Sequence, residues 1–222
     1  VRPPGHHAEP DKAMGFCLFN NIAIAAKDVL ESGAKRTLII DYDAHHGNGT
    51  QAAFLNDERV AYLSTHQGGI YPGTGRIDDA PHARGRIVNL PLPGFSGDAV
   101  FRQIAKQIIA PFVQRFQPEI ILVSAGFDSH WSDPLTQLGL STRGFFELSR
   151  YLVELADEYC EGKIIFVLEG GYDARNVAKG VEAVFLAIAN QKSTSEAGDE
   201  SPYPEQNIEE RIQAVRELHK FS

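Results

Sequence analysis

Five short and almost wholly apolar segments alternate with longer segments whose apolar residues recur at helical spacing, and this alternation limits the fold more than any other feature. The short segments predict β-strands at residues 37–41, 60–64, 87–90, 120–125 and 164–168. The longer segments predict helices at residues 19–32, 98–116, 142–160 and 173–190. Strands that are continuously apolar are typical of sheets covered on both faces, so we predict an α/β fold with a mainly parallel sheet and crossover helices.

Composition excludes several classes of protein. The chain has 222 residues, of which 43% are hydrophobic and 23% charged, which is ordinary for a globular protein and excludes a disordered one. Its apolar runs are too short to predict a membrane helix, and no basic-then-apolar leader opens the sequence. A net charge of −8 argues against a nucleic-acid partner. The two cysteines, Cys17 and Cys160, do not make a disulfide framework, so we expect a reducing, cytoplasmic location.

A change of composition near the C-terminus predicts how the chain is organised. Residues 1–190 are expected to form one domain. Residues 191–207 are rich in Ser, Glu, Gly and Pro, which predicts a linker or surface loop. Residues 208–222 carry apolar residues at helical spacing, so we predict an amphipathic helix that packs on the same domain.

Polar side chains follow four of the five predicted strands. Asp43 and His45 come just after the first strand, and Asp128 follows the fourth. Thr65 and His66 follow the second, and Glu169 and Tyr172 follow the fifth. Because the carboxyl ends of parallel strands form the edge at which open α/β sheets bind ligands, we expect a site there.

Three of these side chains suggest a metal site. Asp43 and His45 are two residues apart, so they share a face in an extended segment. Together with Asp128 they would supply one nitrogen and two carboxylate oxygens, a ligand set that suits Zn²⁺ or Fe²⁺. In the alternative interpretation, Asp41 and Asp43 cap the following turn and His45 packs locally. The polar groups at the other strand ends favour the metal site.

An adjacent histidine pair and a tyrosine could supply acid–base chemistry. A neutral imidazole from His6 or His7 near a metal site would be a suitable general base. Asp41 or Asn48 could bond its other nitrogen and fix its tautomer. Tyr172, in a Gly-Gly-Tyr turn, could donate to a developing oxyanion. The alternatives are a surface or tag histidine pair, and a tyrosine that only covers the sheet edge.

The remaining candidates near the predicted site are less specific. Phe16 and Tyr71 are either core aromatics or the walls of an apolar slot. Cys17 lies beside the predicted site but has no evident base, so we do not assign it as a nucleophile. The glycines at residues 68–75 lack the lysine and the spacing of a phosphate-binding loop.

The sequence resembles the zinc-dependent histone deacetylase family in six segments that occur in the family's order. The segments are RPPGHHA (2–8), GFCLFNNIAIAA (15–26), DYDAHHGNGTQ (41–51), YPGTG (71–75), SAGFDSHWSDPL (124–135) and LEGGYD (168–173). The prolines before the histidine pair, the Asn of HHGNG and the Glu of LEGGY resemble class II and bacterial deacetylase-like amidohydrolases more than class I. The resemblance implies a three-layer α/β/α arginase/deacetylase fold.

The resemblance also implies a role for each matching residue. Zn²⁺ would be held by Asp43, His45 and Asp128. His7, held by Asn48, would act first as general base and then as general acid. His6, paired with Asp41, would be its electrostatic partner. Tyr172 would polarise the acetyl carbonyl. The substrate tunnel would be lined by Gly15, Phe16 and Tyr71, where Phe is commoner than Tyr at the last position. A structural K⁺ would contact main-chain oxygens of Asp41, Asp43 and His45, the Ser64 hydroxyl and the Thr65 carbonyl.

The implied reaction is hydrolysis of an N-acetylated amine, with acetyl-lysine in proteins as the expected substrate. An acetylpolyamine amidohydrolase of the same family is the nearest alternative. A binuclear arginase-like hydrolase is disfavoured, because the chain lacks a second set of Asp and His ligands. The chain begins at the histidine pair, so we expect the family's preceding strand, helices and rim loop to be absent. An inactive metal-bearing module is therefore a further alternative, which the joint presence of His7 and Tyr172 argues against.

Overall fold

The computed structural model describes residues 3–193 and 199–221, and its centre is a five-stranded sheet in the order β3-β2-β1-β4-β5. Every pairing in this sheet is parallel. The strands are β1 (Thr37–Asp41), β2 (Val60–Gln67), β3 (Ile87–Leu92), β4 (Ile120–Ala125) and β5 (Ile164–Leu168). All five predicted strands are confirmed. β2 and β3 run past their predicted ends because they pair with each other there, with Gln67 opposite Leu92.

The helices are α1 (Asn21–Glu31), α2 (Asn48–Phe54), α3 (Asp98–Ile104), α4 (Ala110–Phe116), α5 (Thr142–Tyr159), α6 (Ala174–Ile188) and α7 (Glu209–His219). The prediction of one regular helix over residues 98–116 is wrong, because a π-helical turn, Ala105–Ile109, separates α3 from α4. Pro111 has no N–H to donate to the carbonyl of Gln107, which accepts a hydrogen bond from Arg216 instead. Within the described part of the chain, no helix has both the length and the apolar character needed to cross a membrane.

Helices cover both faces of the sheet at β1 to β4, as predicted, whereas the edge strand β5 is only partly covered and its Ile165 is 45% exposed. Successive residues of β1 point to opposite faces: Leu38 and Ile40 belong to the larger core, and Ile39 belongs to the smaller one. The smaller core is covered by α1 and α2. The larger core includes buried residues of α3 to α7, so the C-terminal helix contributes to it. Residues 194–198 of the predicted linker lie outside the described residues, and so do Val1, Arg2 and Ser222.

The strand order places the candidate site. The chain runs from β1 to β2 and β3 on one side of the sheet, and then returns to β4 and β5 on the other. The order of strands therefore reverses between β1 and β4, and crevices at such reversals bind ligands in open α/β sheets. Asp41 of β1 lies opposite Ser124 of β4, so the loops that follow these two strands are neighbours.

Candidate functional site

The loops after β1 and β4 bring Asp43, His45 and Asp128 together. One ligand atom from each of these side chains lies within 4.8 Å of the other two. The Nδ1 atom of His45 is 3.1 Å from an oxygen of Asp43 and 3.0 Å from an oxygen of Asp128. Both carboxylates are fully buried. Two buried carboxylates and an imidazole facing a common point form an N/O donor set that fits a Zn²⁺ ion.

Backbone groups hold the two carboxylates in place. The N–H of Ala44 donates to Asp128 at 2.9 Å, and the N–H of Gly170 donates to Asp43 at 2.8 Å. A Cβ at Gly170 would lie 2.3 Å from Oδ2 of Asp128 and 2.7 Å from Oδ2 of Asp43. Only glycine leaves room for both carboxylates at this position. The turn after β5 therefore forms one wall of the metal-ligand cluster.

Burial and the charges of the neighbouring groups shift the pKa values of Asp128 and His45 in directions that favour a bound cation. Burial, followed by the charge of Asp43, raises the pKa of Asp128 to about 6. Burial disfavours the His45 imidazolium, but the hydrogen bonds and charges of Asp128 and Asp43 outweigh it and raise the pKa of His45 to about 10. The crowded carboxylates thus need a positive charge between them, which a divalent metal would supply more strongly than a proton.

Two buried histidines stand beside the cluster, each bonded through Nδ1 to a different partner. Nδ1 of His6 is 3.0 Å from Oδ2 of Asp41, and Nδ1 of His7 is 2.9 Å from Oδ1 of Asn48. These are the two pairings that the resemblance implied. Tyr62, which the sequence analysis did not select, also donates to Oδ2 of Asp41 at 2.9 Å.

The two histidines differ in charge. Burial alone would lower the pKa of His6, but the charges of Asp43 and Asp41 outweigh it and raise that pKa well above its ordinary value. Burial, reinforced by the positive charge of His6, lowers the pKa of His7 to about 3. At neutral pH the pair is therefore a cation next to a neutral imidazole. A neighbouring acid and base separated in this way are typical of acid–base sites.

A cavity of about 480 Å³ leads to these groups. It is lined by His7, Gly15, Phe16, His45, Ile70, Tyr71, Leu135 and Tyr172. The rings of Phe16 and Tyr172 have centroids 6.3 Å apart, and Tyr71 meets His7 edge-on at 5.0 Å. Phe16 is 73% exposed and Tyr71 46% exposed, so both are cavity walls rather than core aromatics.

Gly15 is packed directly against the His7 ring. A Cβ at Gly15 would lie 2.3 Å from Cδ2 of His7, and the glycine has a φ of +57°. Both facts require glycine here. Ser64 and Thr65, two of the residues predicted for K⁺, are buried as well: the Ser64 hydroxyl is 2.9 Å from Nδ1 of His66, and the Thr65 hydroxyl donates to the main-chain oxygen of Asp41.

Three acidic residues near the site were not assigned from the sequence. Glu169 accepts hydrogen bonds from the N–H groups of Gly5 and His6 at 2.6 and 3.0 Å. Asp133 accepts from the N–H of Tyr172 at 2.9 Å. Glu9 accepts from the side chain of Asn48 at 2.7 Å. Only Glu169 carried a signal in the sequence, as an acid directly after an apolar strand.

Comparisons with known proteins agree with this geometry. The family model described as histone deacetylase domain matches residues 1–188. Histone deacetylase 14, a chloroplastic protein of Arabidopsis thaliana, is 45% identical over 226 residues, which cover 99% of this chain and 53% of that protein. A probable deacetylase of Archaeoglobus fulgidus is 47% identical over 174 residues, which cover 78% of this chain and 48% of that protein. The chain thus spans about half the length of these relatives.

A solved structure matches over nearly the whole chain. The HDA15 HD domain superimposes with a TM-score of 0.85 at 34% identity, covering 99% of this chain and 60% of that one. The predicted arginase/deacetylase fold, with its parallel sheet between helical layers, is confirmed by this match.

Proposed function

This chain belongs to the histone deacetylase family, and from that premise we propose that it is a zinc-dependent hydrolase that removes acetyl groups from N-acetylated amines, with acetyl-lysine in proteins as its substrate. One observation carries the proposal. At the end of the cavity, the neutral imidazole of His7 lies beside the cluster formed by Asp43, His45 and Asp128, with ring centroids of His7 and His45 5.9 Å apart. A base and a metal-ligand set are thus both within reach of one bound amide.

Asp43, His45 and Asp128 are the residues that would hold Zn²⁺. When bound, the ion supplies Lewis-acid polarisation of the amide carbonyl and activation of the attacking water. The family is zinc-dependent, and Fe²⁺ is an alternative metal for the same N/O ligand set.

His7 is the residue we propose as general base. Its Nδ1 is bonded to Asn48, which leaves Nε2 free to take a proton from the attacking water and return it to the leaving amine. We propose that His6, whose pKa is raised by the charges of Asp43 and Asp41, carries a positive charge beside His7; its Nε2 lies 3.6 Å from Asp43. This fixed charge opposes a second positive charge on His7, so it makes the protonated form of His7 a good proton donor.

Tyr172 and the cavity walls would bind and orient the substrate. We propose that the Tyr172 phenol donates a hydrogen bond to the carbonyl oxygen as negative charge develops on it. Its backbone is held by Asp133 through a bond of 2.9 Å. Phe16, Tyr71 and Gly15 would line the passage for the apolar stem of acetyl-lysine. A matching slot between aromatic rings excludes water from a stem of methylene groups.

We also propose the K⁺ site that the family resemblance implies. The main-chain oxygens of Asp41, Asp43 and His45, the Ser64 hydroxyl and the Thr65 carbonyl would be its ligands. Burial of both Ser64 and Thr65 supports it, because oxygen atoms enclosed by protein suit a structural cation.

Steady-state hydrolysis of an acetyl-lysine peptide and of acetylputrescine tests the proposal. The zinc-loaded protein should hydrolyse the peptide with the higher kcat/KM, and His7→Ala should abolish most of that turnover. Preference for acetylputrescine would replace protein acetyl-lysine by a polyamine as the substrate. Absence of turnover on both amides in a folded, zinc-loaded protein would contradict the proposed function.

A further inference from the structure

The side-chain amide of Asn48 is surrounded so that its two ends are chemically distinct. Its oxygen, Oδ1, faces Nδ1 of His7 at 2.9 Å. Its nitrogen, Nδ2, faces three acceptors: a carboxylate oxygen of Glu9 at 2.7 Å, the main-chain oxygen of His7 at 3.4 Å and the sulfur of Met14 at 3.4 Å. The shortest of these contacts, and the one to a charged group, is the contact with Glu9.

The direction of this amide decides which nitrogen of His7 carries the proton. An amide oxygen can only accept, so in the observed orientation Nδ1 of His7 carries the hydrogen and Nε2 is unprotonated. Were the amide turned over, its N–H would donate to Nδ1 and the proton would sit on Nε2. Nε2 would then have no lone pair to accept a proton from water, and the lone pair on Nδ1 would be occupied by the Asn48 N–H. The two orientations of the Asn48 amide have the same shape, but His7 can act as a base through Nε2 in only one of them.

Glu9 is the group that distinguishes the two orientations most strongly. Its carboxylate accepts from an N–H with a charge-assisted hydrogen bond and repels the amide oxygen that a turned Asn48 would present. The turn that contains Glu9 does not need this side chain, because it closes through backbone bonds between Glu9 and Lys12 at 3.0 and 3.3 Å. The carboxylate is therefore free to serve the site.

We propose that Glu9 is a positioning residue that orients the Asn48 amide and thereby sets the His7 tautomer that the proposed deacetylation requires. The inference depends on the proposed function only for its effect on turnover. The three side chains form a hydrogen-bonded relay, Glu9 to Asn48 to His7, and Glu9 itself is not among the residues that line the cavity.

Four variants at two positions test the relay. Glu9→Lys replaces the acceptor by a donor, so the Asn48 amide should turn over. Glu9→Gln keeps a neutral acceptor and should preserve the orientation, whereas Glu9→Ala should leave a mixture. Adding Asn48→Asp to Glu9→Lys supplies a carboxylate that accepts from both the ammonium and His7, so it should restore the original tautomer. Asp11→Asn removes one negative charge from an exposed position in the same loop and is the matched control.

Two readouts separate positioning from a general loss of structure. Histidine ¹⁵N–¹H spectra of the zinc-loaded protein report which ring nitrogen is protonated, and His7→Ala assigns the His7 signals among the eight histidines. In Glu9→Lys we expect the His7 proton to move to Nε2 and kcat to fall by about 10- to 100-fold with KM nearly unchanged. In the double variant the His7 proton should return to Nδ1 and kcat should rise again. Asp11→Asn should have the wild-type His7 tautomer and the wild-type kcat.

An unchanged His7 tautomer in Glu9→Lys would overturn the inference, as would equal losses of kcat in Glu9→Gln and Glu9→Lys. If Glu9→Lys does not fold, judged by circular dichroism, the comparison of Glu9→Gln with Glu9→Ala decides: the inference requires mixed tautomers only in Glu9→Ala. A wild-type protein without deacetylase turnover would contradict the proposed function, while the tautomer spectra would still test the relay.

Discussion

Substituting alanine for Gly170 should weaken zinc binding without removing a ligand. The turn after β5 places Gly170 against both carboxylates of the ligand cluster, and its N–H donates to Asp43 at 2.8 Å. The added Cβ would lie 2.3 Å from Oδ2 of Asp128 and 2.7 Å from Oδ2 of Asp43. Gly170 does not adopt a left-handed φ, so alanine meets no backbone strain and the effect comes from this contact.

The contact distances set the size of the effect. To reach an ordinary contact of 3.4 Å, the Asp128 oxygen must retreat by about 1 Å. Metal–ligand distances tolerate only about 0.2 Å, so the cluster loses part of its geometry. We expect a weakening of zinc affinity by about 100-fold, or about 2.7 kcal/mol. For a chain of this size, the rise in Tm caused by saturating zinc should shrink by about 5–10 °C.

Competition with a chelator of known affinity measures the zinc dissociation constant, and thermal unfolding at a fixed free zinc concentration measures the shift in Tm. Gly94→Ala is the matched control, because its added Cβ would meet its nearest atom, Oε1 of Gln137, at 3.6 Å. The control should bind zinc like the wild type. Equal zinc affinity for Gly170→Ala and wild type would refute the assignment of this carboxylate cluster as the metal site.

His7→Ala and Tyr172→Phe should each lower kcat on an acetyl-lysine peptide by about 100-fold or more while zinc content, measured by mass spectrometry, stays at the wild-type level; full turnover in either variant would contradict the assigned role. Glu169→Ala leaves the buried N–H groups of Gly5 and His6 without the carboxylate that accepts from them. The free energy of unfolding, measured in urea, should therefore fall by about 2–4 kcal/mol. A fall of less than about 0.5 kcal/mol would show that the carboxylate does not anchor the loop of His6 and His7. Burial, followed by the charges of Arg115 and Arg84, lowers the pKa of His219 to about 4, below the value of 6.5 expected in the unfolded chain. Between pH 6.5 and 4 the unfolded chain therefore binds a proton at His219 that the folded chain does not, and the stability of the fold decreases as the pH falls. The Tm of His219→Asn should decrease less over that range than the Tm of the wild type. An identical pH dependence of Tm in the two proteins would contradict this.

The strands could be predicted because each is a nearly continuous apolar run, as expected for strands such as β1 and β4 that are buried on both faces. The helix α2 could not be predicted, since its seven residues are too few to show a helical pattern and include Asn48 and Gly49, which have low helix propensity. It forms because buried side chains such as Phe54 pack into the smaller core. Tertiary packing, rather than local propensity, produces this helix.

In the candidate site, contacts between residues close in sequence could be predicted, whereas contacts between distant residues could not. Asp43 and His45 are two residues apart, and their spacing alone suggests a shared ligand. Glu169, in contrast, bonds the N–H of Gly5 across 164 residues, and no local pattern encodes that contact. Glu9 likewise reaches Asn48 from a separate loop. Contacts of this kind require the folded arrangement of the loops, because the sequence gives only the residue types.

We propose that one zinc ion, held by Asp43, His45 and Asp128, supports amide hydrolysis. Titration of the metal-free protein with zinc, followed by turnover of an acetyl-lysine peptide at each step, tests it most directly. Turnover should rise in proportion to added zinc, stop rising at one ion per chain, and be suppressed by a hydroxamate inhibitor. Turnover that is independent of zinc, or that requires two ions per chain, would contradict a catalytic site with a single zinc ion.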